Sequence, residues 1–457
     1  MTPTAYDDPL NSHKNDDCPW LAAIRVGAAA LPRVPTAPTL FHERRIDGWI
    51  EGAGSGPLRE FVGTQSGLSI DFWSKESPWH RFRAGVGVEE IPAVVADWID
   101  PENSSHGSSG VSSDEDGWTT KFRRQFPALR WEVESAIDAI EGGPADLRAR
   151  VRWVGFDQIA IGAGGGEEPW RDRRQGSRVR VEAWHPDYGV VAVRERVLES
   201  VEGWGAALGA EAMARGLQVI DAGGVRIASA GTHNFLLGPA MGGVLVHELV
   251  GHALEGDVAT QSWLATGPPL HPQLRVIDDP RRGRGAWRLD DQGVEARTVE
   301  LIAGGRVGEP LLDLRRAAER GVPSNGHGRR AGYRDPVLPR MGATYIDAGD
   351  DDPKGMIADI KEGLYVRRIE SASTDPKRGR GSFRVTESDR IVGGRLAQPI
   401  APFLVDVNGM TLLRGPLRIG HDLTFDTTVG SCHRHGQPLA TTVGGPTIWL
   451  GSMEIRT

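Results

Sequence analysis

The sequence predicts an α+β protein of two domains, and three observations carry that prediction. The chain is 457 residues long, about three times a typical single domain of roughly 150. In the first half, segments that alternate apolar and polar residues, as half-buried strands do, stand beside segments with helical spacing. The second half combines further strand patterns with an apolar helix that carries two histidines. The expected arrangement is an N-terminal α/β-mixed domain over residues 1–225 and a β-rich C-terminal domain over 226–457. The boundary falls near the small-residue segment Ala228 to Gly231, which can act as a hinge.

The first half reads as irregular, with a few clear elements. Residues 103–117 (NSSHGSSGVSSDEDG) form a polar, low-complexity loop. Leu129, Val133, Ile137 and Ile140 share one helical face. Pro127 suits the first helical position and Gly142 the stop, so a helix is expected over 127–140. Residues 149–155 alternate as a strand. Residues 178–197 read as a hairpin around Pro-Asp-Tyr-Gly. The glycines from Gly162 to Gly166 do not fit GxGxxG, and no helix follows, so a dinucleotide loop is disfavoured. A glycine-containing helix is expected over 200–216, and strands over 383–393 and 421–429. Another helix is expected over 353–366, with Asp352 as cap, Pro353 at the first position, and Met356, Ile357, Ile360 and Leu364 on one face.

Composition narrows the function classes. Apolar residues make up 39% and charged residues 25%, which is ordinary for a soluble globular protein. A net charge of -8 argues against a nucleic-acid surface. Two cysteines cannot build a disulfide framework and fit a reducing compartment, so a cytoplasmic location is expected. The longest apolar run, Phe235 to Val246, falls well short of the ~20 residues a membrane helix needs. It ends in His247-Glu248 and reads as a buried core element. The N-terminus, MTPTAYDDPLNSHKNDD, has neither a basic start nor an apolar core. It reads as a polar arm, not a signal peptide.

The chemistry concentrates in GGVLVHELVGHALEGD, residues 242–257. Imidazole nitrogens suit zinc, and a catalytic zinc site needs three protein ligands and one open position. Glu248, next to His247, can take a proton from the attacking water. The spacing to His252 is HExxxH, one residue longer than the common HExxH. On a regular helix, residues five apart differ by roughly 140° around the axis, and residues four apart by about 40°. Both histidines can face one metal only if a π-type turn lies between them. Gly251 has no Cβ to obstruct that distortion. The third ligand comes from elsewhere. Cys432, in VGSCHRHG, is the attractive candidate, with His433, His435, Glu255 and Asp257 as rivals.

These residues resemble the TldD/PmbA family, whose catalytic member is a zinc metallopeptidase. HELVGHALEGD resembles the family's metal helix, and WRLDDQG (287–293) its acidic turn. Residues 323–345 (PSNGHGRRAGYRDPVLPRMGATY) resemble its Gly-Arg-Arg and Pro-Arg-Met segment. VGSCHRHG (429–436) and VGGPT (443–447) are similar to its cysteine loop and last strand. The likeness covers about 225–457 in the family's order. It implies one zinc per chain held by His247, His252 and Cys432, with Glu248 as general base. It also suggests that His327 or Arg329 lines the substrate cleft and polarises a carbonyl. Glu255 and Asp257 could orient the histidines. The segment 371–384 (SASTDPKRGRGSFR) is longer and more basic than the family usually shows.

The resulting expectation is a zinc-dependent peptidase of unfolded or small peptides, resembling the catalytic TldD-type subunit. Its rivals are a hydrolase that tailors a modified peptide or amide in natural-product biosynthesis, and a non-catalytic regulatory or binding subunit. The expected partners are a peptide substrate and a metal-free TldE/PmbA-like subunit, or a second copy in a homodimer. No nucleic-acid or membrane partner is expected.

Overall fold

The computed structural model describes residues 19–29, 38–72, 79–99, 117–143, 146–164, 168–198, 200–224, 230–426 and 431–456. The expected boundary at 225/226, most of the loop at 103–117, Cys18 and the polar arm lie outside the described residues. The architecture is a two-domain α+β fold.

The N-terminal part is built on a six-stranded antiparallel sheet. Its order is Trp79–Ala84, Arg59–Phe72, Thr39–Ala53, Arg148–Gly164, Trp170–His185, Gly189–Val197. The alternation at 149–155 and the hairpin at 178–197 are therefore both present, in longer strands. The irregular appearance of the first half was misleading. The long pair Thr39–Ala53 and Arg59–Phe72 carries charged residues on both faces, Glu43 and Arg45 on one and Arg44 and Glu60 on the other, and glycines on both strands, so its alternation is diluted. On the other face, Ile46, Ile50, Trp153, Val179 and Val181 pack against two helices, Phe126–Glu141 and Gly205–Asp221.

Those helices touch because glycine permits it. A Cβ at Gly205 would lie 2.0 Å from the Glu132 carbonyl oxygen, and one at Gly209 2.6 Å from that of Ala136. The glycines that weaken the second helix by propensity are the ones that let it close on the first. Glu132 also caps the second helix, accepting the N–H groups of Trp204 at 2.9 Å and Gly205 at 2.5 Å.

The C-terminal part has a mixed sheet and a barrel. The sheet runs Arg306–Val307, Val299–Ala303, Val276–Asp279, Ala343–Ile346, Thr442–Gly445, Thr424–Asp426, with the pair 343–346/442–445 parallel. In the barrel, Glu362–Asp375 pairs Gly231–Leu237, which pairs Ile448–Arg456, then Phe403–Asn408, then Arg380–Val392, and that strand returns to Glu362–Asp375. Closure removes sheet edges. Phe235, Leu237, Leu364, Val366, Phe383 and Val405 belong to its core.

Two expectations need correction here. The helix over 353–366 ends at Asp359, and 362–366 opens a barrel strand. Its cap is as expected, with Asp352 accepting Lys354 and Gly355 N–H. Apolar residues at helical spacing continued into the strand and hid the break. The strand at 421–429 is Thr424–Asp426 within the described residues.

The helix Met241–Val246 lies between the mixed sheet and the barrel, and all six of its residues are buried. A Cβ at Gly243 would lie 2.4 Å from the Gly444 carbonyl oxygen, so the helix seats directly on the strand 442–445.

Charged side chains join the two parts. Arg174, fully buried, pairs Asp172 at 3.0 Å and Asp291 at 2.5 Å. Arg330 reaches Ser69 at 2.8 Å and pairs Asp71. Arg215 meets Glu387 at 3.0 Å and Asp389 at 2.8 Å, and Arg368 meets Glu195 at 2.7 Å. Such pairs specify how the two parts dock, because removing one partner strands a buried charge. The acidic turn at 290–291 is thus an interior feature. Asp290 accepts the N–H groups of Gln292, Val294 and Gly328 at 2.9 Å each. Burial pushes Asp290 up to about 6 against those bonds.

Nearby Asp313 caps the helix Leu314–Arg320, and burial raises it to about 7, with Asp257 and Asp290 adding to the rise. A raised carboxyl binds its proton more tightly in the folded chain. Stability therefore falls as pH rises from about 4 toward about 7. Asp313→Asn keeps a capping oxygen and cannot ionise. Urea unfolding should show the variant close to wild type at pH 4 and increasingly more stable than it toward pH 8. Equal stability at both pH values would contradict the assignment.

Candidate metal centre

The strand Gly231–Leu237 leads into the helix through Ala240. This residue takes a left-handed φ of 67° and donates its N–H to the Gly445 carbonyl at 2.7 Å. The helix begins at Met241. Residues His247–Gly251 then form the π-turn that the HExxxH spacing demanded, with the His252 N–H donating to the His247 carbonyl. The two imidazole rings sit 5.1 Å apart, centre to centre, and nearly perpendicular at 82°. Gly251 has ordinary helical angles, so conformational freedom is not what it supplies. Its contribution is space: a Cβ there would lie 2.0 Å from the Met341 sulfur.

Cys432 arrives on a small hairpin, Cys432–Arg434 with Gln437–Leu439. Strand alternation turns Cys432 inward and leaves His433 exposed, and His435 is also exposed. Buried Arg340 fixes this hairpin by donating to the carbonyls of Cys432 at 2.7 Å and Gln437 at 3.1 Å. One ligand atom each from His247, His252 and Cys432 lies within 4.8 Å of the others, and this is the one such trio among the described residues.

His247 is fully buried, and neither of its ring nitrogens has a hydrogen-bond partner. An unsatisfied buried polar atom costs about 1–3 kcal/mol. A cation beside it removes that cost. His252 is oriented by Glu255, whose carboxylate lies 3.0 Å from Nδ1, leaving Nε2 3.4 Å from the Cys432 sulfur. Arg434 holds Glu255 at 2.8 Å and also pairs Asp257. Burial by itself raises the Cys432 thiol, but His252 and His247 outweigh it and hold the thiol well below its usual range. Burial likewise lowers His252, and Cys432 and Glu255 outweigh that and raise it well above the ordinary imidazole value. These are two sides of one thiolate–imidazolium pair. Two imidazoles and a thiolate make a zinc-type donor set that leaves a fourth position open. The residues fit the metal.

Glu248 stands beside this trio. Its Oε2 is 3.9 Å from His252 Nε2 and accepts a hydrogen bond from Thr374 Oγ1 at 2.9 Å. Thr374 also lines an open cleft of about 440 Å³, together with Ser373, Asp375, Arg380, Asp406 and Asn408. Residues 373–375 and 380–382, within the segment that departs from the family pattern, line this cleft, and Thr374 links it to Glu248.

The structure places His327 and Arg329 inside the fold and does not group them with His247, His252 and Cys432. His327 is fully buried, with Nδ1 3.0 Å from the Asn325 carbonyl and Nε2 3.2 Å from Asp278. Arg329 is buried over the Trp287 ring at 4.3 Å and pairs Asp291 at 3.2 Å. These partners all lie in the C-terminal part, and they hold both side chains inside it. Three arginines of the segment 281–288 are likewise engaged by the fold. Arg281 and Arg282 pair Asp279 at 3.2 and 3.1 Å, and Arg284 stacks on Phe156. Arg340 and Arg434 stand inside motifs the sequence offered, but their roles and that of Thr374 were not legible, because each works through a contact distant in the chain.

A two-part α+β fold with a buried His/His/Cys set beside a glutamate describes a class of metal-site protein. Comparison with known proteins narrows it. The family described as PmbA/TldA metallopeptidase C-terminal domain matches residues 230–457. The chain is similar to a metalloprotease TldD homolog of Haemophilus influenzae, 30% identical over 235 residues, covering 50% of this chain and 49% of that protein. It is also similar to a zinc metalloprotease TldD homolog of Saccharolobus solfataricus, 28% identical over 235 residues, covering 50% of this chain and 52% of that protein. The match thus spans about half the length of these curated relatives. Among solved structures, TldE from Thermococcus kodakarensis has a TM-score of 0.72 at 14% identity, covering 96% of this chain and 100% of that one. A putative modulator of DNA gyrase from Bacteroides thetaiotaomicron has a TM-score of 0.68 at 14% identity, covering 96% and 98%. These two show the fold alone. The chain belongs to the PmbA/TldD family.

Gly251→Ala forces a methyl group onto Met341 at the π-turn. We expect a stability loss of about 1–3 kcal/mol in urea unfolding. Met341→Ala in the same background should restore part of it. No loss in the single variant would show that the close approach is not a constraint.

Proposed function

We propose that the chain is a zinc-dependent metallopeptidase of unfolded or small peptides and acts as a TldD-type catalytic subunit. In this assignment one zinc is held by His247, His252 and Cys432. The observation that carries it is the fully buried His247 with no partner on either nitrogen, within ligand distance of His252 and Cys432. The names of the curated relatives support it.

When bound, zinc supplies a Lewis acid that makes water acidic near neutral pH and polarises a carbonyl oxygen. Glu255 holds His252 in the tautomer that presents Nε2. Thr374 donates to Glu248 Oε2 and so orients the carboxylate beside the trio, where it can accept the proton of the attacking water. Glu248 then returns that proton to the departing amine. A non-catalytic binding subunit has no use for such a carboxylate, so the arrangement favours the enzyme over that rival. The same chemistry would serve a modified peptide or amide.

Among the described residues no helix is long and apolar enough to cross a membrane. We place the protein in the cytoplasm, on the evidence of two cysteines in the chain. The division at about residue 225 separates the six-stranded sheet from the metal-bearing part. For assembly, we favour pairing with a related metal-free chain over a homodimer, because this chain resembles the metal-bearing subunit of a two-subunit system.

Metal analysis after gentle purification should find one zinc per chain, lost in Cys432→Ser. Retention at unchanged affinity in that variant would remove Cys432 from the ligand set. Glu248→Gln should keep the metal and slow cleavage of an unstructured peptide by about 10²–10⁴. Wild-type turnover in that variant would move the proton transfer to another group.

A further inference from the structure

The π-turn and the wall of the cleft come from segments more than a hundred residues apart, and one side chain touches both. Trp263 follows a short turn of helix, Ala259–Gln261. Its indole Nε1 donates to the carbonyl of Leu249, inside the π-turn, at 2.8 Å. An outside donor on that carbonyl competes with the i→i+4 bond a regular helix would make there, and so favours the wide turn. The indole ring lies against Gly379 in the connection between the strands Glu362–Asp375 and Arg380–Val392. A Cβ at Gly379, whose φ is +62°, would fall 2.6 Å from the indole Cγ. The same loop is tied again where Lys377 Nζ donates to Gln261 at 2.9 Å. Gly379 in turn accepts the Gly409 N–H at 2.7 Å, and Gly409 also borders the ring.

We propose that Trp263 is a positioning residue that couples the ligand-bearing π-turn to the 375–380 turn. One indole holds His247 and His252 in register with the hairpin that carries Thr374. That hairpin in turn holds the Glu248 carboxylate and forms a wall of the cleft. Metal ligands, base and cleft wall therefore keep one relative position. The coupling itself stands on these contacts; its role in catalysis rests on the metallopeptidase assignment proposed above.

The test uses the full chain and two variants. Trp263→Phe keeps a ring and removes the donor. Gly379→Ala presses on the indole from the hairpin side. Amide exchange is followed by mass spectrometry in the metal-free protein, over 248–254 and 375–380. Cobalt(II) binding is followed separately by thiolate-to-cobalt absorption. Each variant should speed exchange in both segments, and Trp263→Phe should weaken cobalt binding about tenfold. Effects confined to the segment that carries the substitution, with wild-type cobalt affinity, would overturn the coupling. If Trp263→Phe does not fold, faster helix exchange in Gly379→Ala supports the coupling and unchanged helix exchange overturns it. If the wild-type chain takes up no cobalt, the metallopeptidase assignment fails, while the exchange comparison still decides the coupling.

Discussion

One extra residue between two histidines governs this site. A regular helix would put His247 and His252 on different faces. The π-turn at His247–Gly251 brings them back together, with His252 N–H bonded to the His247 carbonyl. A wide turn is costly alone, so the surroundings must hold it. Met341 fills the space where Gly251 lacks a side chain, Gly444 receives the helix at Gly243, and Trp263 binds the Leu249 carbonyl. The helix is enclosed by a mixed sheet and a closed barrel, both of which exist to bury its apolar faces. The ligand geometry follows from that enclosure.

A second layer of charge sets where the cysteine and the histidine point. Arg340 holds the backbone of the Cys432 hairpin, and Arg434 and His252 share Glu255. The same economy recurs at the domain junction, where Asp291 receives Arg174 and Arg329 while Arg330 reaches Asp71. Paired buried charges contribute little net stability, yet each tolerates only one arrangement of its partners. They make the two parts specific in register more than they make them stable.

The site was legible in the sequence where its information is local. HExxxH stated its own geometric problem, and the π-turn is the answer a helix has available. Capping at Asp352, the Pro127 start and the hairpin at 178–197 were legible for the same reason. Contacts distant in the chain were not. The missing Cβ of Gly251 was legible as clearance, but not the group that needs it, a methionine ninety residues away. The enclosure of His327 and Arg329 was not legible either, because nothing adjacent shows that Asp278, Asp291 and Trp287 surround them. The barrel was invisible, since its closure depends on five strands drawn from 231 to 456.

The account stands on a metal held by two imidazoles and one thiolate. X-ray absorption at the zinc edge, on the full chain purified without chelator, reads that set directly. The predicted spectrum has nitrogen neighbours at about 2.0–2.1 Å and a single sulfur at about 2.3 Å. A first shell of nitrogen and oxygen with no sulfur, or a protein with no zinc edge at all, would contradict it.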